Sequence, residues 1–143
     1  MPFSSRWPEA ALAGLACSMR SMSGPAVLAA RGQLPGRLGA GLMLAGAGEV
    51  VADKLPVVPS RTEPPALGGR IATGAYTGYA VGGPLGAAVA ALSAGAGTYA
   101  TYHLRRQVGS ASGLPDPVVA VGEDLLCYLL AWAATRGAGA VAS

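Results

Sequence analysis

Glu49 and Asp53 stand four residues apart at the end of an apolar stretch, which puts both carboxylates on one face of a helix, with Lys54 just beyond. A second acidic pair, Glu123 and Asp124, lies about two turns inside another apolar stretch. Arg20 sits in the middle of a third, with Ala16 and Gly24 at four-residue spacing on either side. That spacing turns the guanidinium towards a small-residue packing face, where it needs a carboxylate. Ionisable groups in such surroundings are costly, so they pair with one another or line a polar cavity. Two chemistries follow. In one, Arg20 with Glu49, Asp53 or Glu123 forms a buried salt-bridge network that fixes helix register. In the other, the carboxylates of Glu49, Asp53, Glu123 and Asp124, with Arg20 and Lys54, form a site for a proton, an ion or a small solute.

Other chemistries find little support. The segment Gly95-Ala96-Gly97-Thr98-Tyr99-Ala100 fits a dinucleotide fingerprint in letters, but it lies inside an apolar helix with no strand before it. Cys17 and Cys127 are far apart in apolar surroundings, and His103 alone could complete a metal site, so no metal and no cofactor are expected. His103, next to Arg105 and Arg106 at a helix end, reads as an interfacial cation. No enzyme is expected.

The elements that must carry these groups are helices in a membrane. Hydrophobic residues make up 52% of the 143 and charged residues 12%, about half the charge share of a soluble domain. The 22 glycines and 11 prolines do not signal disorder, which needs low hydrophobicity and high charge. The net charge of +3 comes from ten scattered basic residues, nine of them arginine, a pattern that excludes a nucleic-acid surface. Arg6 and the apolar run that follows it loosely resemble a signal peptide, but a retained helix is expected.

Charges and breakers divide the chain into five apolar segments, near 8–31, 35–54, 71–82, 84–104 and 117–132. The stretch 71–102 has no charge and as one helix would span roughly 48 Å, too long for a hydrocarbon core of about 30 Å. It must break at Gly82-Gly83-Pro84. A second break is expected at Gly24-Pro25. The expected fold is therefore an all-α, polytopic membrane bundle of four or five Gly/Ala-rich segments forming a single domain over 1–143. A match of Ala45-Gly46-Ala47-Gly48 to Ala94-Gly95-Ala96-Gly97 suggests a hairpin repeat of 36–83 and 84–133. Gly74, Gly78, Gly82 and Gly86 recur every fourth residue and form a close-packing ladder, within the bundle or towards a second copy. If every segment crosses, Arg6, Lys54, Arg61, Arg70, Arg105 and Arg106 share the cytoplasmic side, opposite Arg31, Arg37 and Arg136.

The segment Glu49-Val50-Val51-Ala52-Asp53-Lys54-Leu55-Pro56, with an upstream arginine and Pro25 and a proline-rich loop after it, resembles the bacterial membrane proteins grouped as domain of unknown function 4126. The shared pattern is E-x-x-A-D-K-hydrophobic-P. This resemblance implies a multi-pass protein of the bacterial inner membrane, without an assigned activity, and puts weight on Glu49, Asp53, Lys54 and Pro56. Two functions are expected to compete. One is a transport-like or channel-like protein with an intramembrane charged site. The other is a non-catalytic subunit that packs through small-residue faces against another membrane protein or a copy of itself.

Overall fold

The computed structural model describes residues 6–52, 62–136 and 138, and every regular element among them is an α-helix. They are α1 (Trp7–Met19), α2 (Ser23–Ala30), α3 (Gly36–Ala52), α4 (Pro64–Ser112) and α5 (Asp116–Ala134). Asp53, Lys54 and Pro56 lie outside the described residues.

α4 is two helices joined by a reversal. Gly82 and Gly83 leave helical geometry, Gly83 at φ 66° and ψ −154°, a region open essentially only to glycine. Pro84 then opens the second limb, where its missing N–H costs nothing. The limbs, 64–81 and 84–112, run back to back. A Cβ added at Gly78 would collide with the carbonyl oxygen of Gly86, and one at Gly86 with that of Gly78. A Cβ at Gly74 would meet the Ala94 methyl and the Ala90 carbonyl. The expected ladder thus packs within the chain, folded about its own turn, with Gly82 in the turn rather than on a continuous helical face. The first limb begins at Pro64, longer than the sequence reading allowed. The second runs to Ser112, eight residues past the expected end of the fourth segment near 104.

The second break falls at Arg20–Met22, four residues before Gly24-Pro25. Pro25 occupies the third position of α2, within the first turn, where no N–H is required, so it starts a helix instead of ending one. Arg20 is extended (φ −136°, ψ 114°), and the chain reverses there. α1 runs parallel to the second limb, with Ala10 against Gly86, Gly14 against Ala90, and Ser18 against Gly97. α2 runs back along the first limb, from Gly24 against Thr77 to the cluster that joins Leu28 and Ala10 with Val81. Residues 7–30 therefore form a helical hairpin with its tip inside the bundle. This differs from a first segment that crosses from end to end, the expectation from sequence. Arg6 consequently shares an end with Arg31 and Arg37, opposite Arg70, Arg105 and Arg106, and the charge asymmetry between the ends shrinks.

The core is built of small and polar residues. Ala13, Ala16, Ala90, Ala94, Thr77 and Thr98 are fully buried, and the largest fully buried side chain among the described residues is Arg20. Leu28 and Val81 are buried too, but most large apolar side chains face outward, with Leu92 and Leu44 exposed to 76% and 74%. This is the reverse of a water-soluble core, where Leu and Ile are inside and arginine almost never is. α4 and α5 are both long and apolar enough to cross a membrane.

Candidate functional site

Four elements bring charge to the hairpin tip. Arg20, at the end of α1, donates from Nε to Oδ1 of Asp124 on α5, and its Nη2 pairs with the same carboxylate. Glu49, near the end of α3, accepts from the backbone N–H of Ser21 (2.8 Å), the hydroxyl of Ser21 (2.8 Å) and the backbone N–H of Met22 (2.9 Å). Arg70, on the first limb of α4, donates from Nη1 to the carbonyl of Ser18 at 2.9 Å, and its Nη2 lies 3.9 Å from Glu49.

Each contact answers a local need of the break. α1 ends with carbonyls that have no partner further along the helix, and α2 begins with amides in the same position. Arg70 supplies a cation at the negative end of α1, and Glu49 an anion at the positive end of α2, both signs favoured by the helix dipoles. Ser23 adds a 2.8 Å hydroxyl bond to the Arg20 carbonyl. Cys127 donates its thiol to the carbonyl of Ala16 at 3.2 Å. Side chains of α3, α4 and α5 thus hold the turn inside the bundle.

At its open end the hairpin is latched to α5. Arg31 donates to the hydroxyl of Thr135 (3.0 Å) and the carbonyl of Trp132 (2.6 Å), and its guanidinium lies 3.9 Å from the centre of the Trp132 ring. A cation over a tryptophan face adds about 0.5–2 kcal/mol.

The structure divides the residues singled out from sequence. Arg20, Glu49 and Asp124 come together at the tip. The partner of Arg20 is the second member of the α5 pair, because Asp124 faces α1 while Glu123, one residue or about 100° earlier on the helix, faces the second limb of α4. Glu123 pairs there with Arg105 at 3.0 Å. Arg70, on sequence a topological charge alone, is part of the same set. Its spacing of four to Gly74 and eight to Gly78 was the available signal, since it places the arginine on the packing face of the first limb.

No protein-family model, curated protein or solved structure matches the chain. The resemblance to domain of unknown function 4126 rests on residues 49–56 and their setting, of which Glu49 to Ala52 are described.

Proposed function

We propose that this chain is a small transport-like or channel-like protein of the bacterial inner membrane. In this reading α3, both limbs of α4 and α5 cross the bilayer, and α1–α2 enters from one face and returns to it. The helix lengths suit this: α3 has 17 residues and α5 has 19, about 26 and 29 Å. The arrangement inside the bundle suits it too, since the buried faces are small and the outward faces apolar. Membership of a family like domain of unknown function 4126 is part of the same proposal.

The observation that carries the functional reading is the meeting of two half-helix ends among Arg20, Arg70, Glu49 and Asp124. Broken helices in transporters present their termini to a solute in this way, and ionisable residues at such depth mark ion and proton paths. Glu49 and Asp124 are the groups that would exchange a proton or cation. Both are held by protein donors, so the arrangement is that of a closed site.

That closure also favours a second reading, in which the charged set only clasps the hairpin and the chain is an assembly subunit. α3 supports it, because Gly39 and Gly46 are its only buried residues, and Gly41 and Gly48 have open space before them. Reconstitution separates the two. Proton or cation flux into liposomes by the native protein, lost in Glu49→Gln and Asp124→Asn, supports transport. No flux from a folded, correctly inserted native protein removes the transport reading in favour of the subunit.

A further inference from the structure

The second limb of α4 and α5 are neighbours in sequence, joined by three residues, 113–115, yet near that joint they stand apart around a groove of about 350 Å³. Leu104 and Val108 form one wall, Val118, Gly122 and Leu126 the other, and Met19 of the hairpin the back. The volume is within the range of small-molecule sites, about 300–1,000 Å³, and the lining is almost wholly apolar. Among the described residues that line it, Arg105 and Glu123 bring the charge.

The two carboxylates on Arg105 are not equivalent. Glu123 is 11% exposed and bonds Nη1 at 3.0 Å, which fixes the guanidinium against α5. Asp116 is 80% exposed and reaches Nη2 at 3.3 Å. Pairs so open to solvent contribute about 0–1 kcal/mol, so Asp116 is readily exchanged for another anion. Arg106 instead lies with His103, Gln107 and Ser110 along a separate polar cleft on the opposite face of the limb. An apolar slot that leads to an arginine with one replaceable partner calls for a ligand with an apolar chain and an anionic head. Basic pockets between membrane helices take anionic lipid headgroups by this chemistry.

We propose that this groove binds one anionic phospholipid, with an acyl chain between α5 and the second limb of α4 and the phosphate on Arg105. The inference rests on the membrane reading above but not on transport. Lipid chains are the medium at that depth, and the exposed side of the groove faces it. The phosphate displaces Asp116 and leaves the Glu123 pair intact.

Native mass spectrometry of the full chain in detergent, titrated with phosphatidylglycerol, phosphatidylcholine or inorganic phosphate, tests the proposal. One phosphatidylglycerol should be retained with at least about a tenfold preference over phosphatidylcholine, since each tenfold is about 1.4 kcal/mol. Gly122→Phe should abolish retention, because a Cβ there meets nothing within 4 Å and the ring is free to fill the groove without disturbing the fold. Arg105→Gln should reduce the preference for phosphatidylglycerol. Equal retention of the two lipids overturns the proposal, and so does unchanged binding by Gly122→Phe or displacement of the lipid by inorganic phosphate. Resistance to alkaline carbonate extraction, measured on the same preparation, shows whether the membrane reading has failed instead.

Discussion

Arg70 donates to the backbone carbonyl of Ser18 at 2.9 Å, which ties the first limb of α4 to the last turn of α1. The same guanidinium stands 3.9 Å from Glu49, which holds the amides at the start of α2. One arginine and one glutamate therefore bracket the reversal, with charges that match the helix end each one meets. Substitutions at the two positions should consequently affect the hairpin more than the rest of the bundle.

Glu49→Gln keeps a side chain of the same length but loses the anion at the positive end of α2, and should destabilise by about 1 kcal/mol, the scale of a helix-dipole or capping contact. Glu49→Ala also strands the half-buried Ser21 and Met22 amides and should destabilise by about 2 kcal/mol, since a donor left without a partner costs about 1–3 when fully buried and less where solvent reaches it. Thermal unfolding in detergent checks the order. Equal losses in the two variants would show that the hydrogen bonds to Ser21 and Met22 contribute nothing.

Arg20 and Asp124 form the more deeply buried pair, and breaking it from one side should be severe. Asp124→Ala leaves the guanidinium buried with less to neutralise it, a change that typically costs about 3–5 kcal/mol. Replacing both partners, Arg20→Met with Asp124→Leu, should recover most of that loss, because apolar residues of similar volume do not incur the desolvation cost of the ions. A double-mutant cycle measures the coupling directly. Additive losses would contradict the pairing.

The glycines offer a contrast within one residue type. Gly78→Leu would drive a side chain into the Gly86 carbonyl and the Ala90 methyl, and backbone on both sides prevents an easy retreat. Overpacking of this kind costs at least about 1–3 kcal/mol. Gly41→Leu, on the open side of α3, should leave the melting temperature in detergent nearly unchanged. A loss at Gly41 as large as that at Gly78 would mean that α3 packs differently from the structure described.

The contrast between the two breaks explains what was legible in the sequence. Gly82-Gly83-Pro84 was readable because a residue at positive φ needs glycine and a helix start accepts proline, so local chemistry alone sets the turn. The reversal at Arg20–Met22 carries no such local mark. It is stabilised by Glu49, Arg70 and Asp124 from three distant elements, and the nearby Gly24-Pro25 drew attention away from it. Gly24 serves packing instead, since a Cβ there would meet Thr77 and Cys17. Arg20 could be recognised as a buried charge in need of a carboxylate, but its partner depends on which of two adjacent acidic residues faces inward. Periodicity in a nearly uniform Gly/Ala background does not decide that. Arg70 was obscured by its neighbourhood, because an arginine soon after a proline-rich loop looks like a charge at the membrane surface.

The hairpin makes a topological prediction that a crossing segment would not. If α1–α2 enters and returns, Trp7 and Pro35 lie on one side, and Ser110 lies on the other. Cys17 and Cys127 are buried and should not react with a membrane-impermeant maleimide, so they form a silent background. Single substitutions Trp7→Cys, Pro35→Cys and Ser110→Cys in intact cells and in inverted vesicles then report the side of each position. Trp7→Cys and Pro35→Cys should label together in one preparation, with Ser110→Cys labelled only in the other. A first segment that crossed fully would put Trp7 with Ser110, opposite Pro35, and that pattern would overturn the reversal at Arg20. The charge bias, weakened once Arg6 joins Arg31 and Arg37, still puts Arg70, Arg105 and Arg106 inside, so Ser110→Cys should be the position that labels only in inverted vesicles.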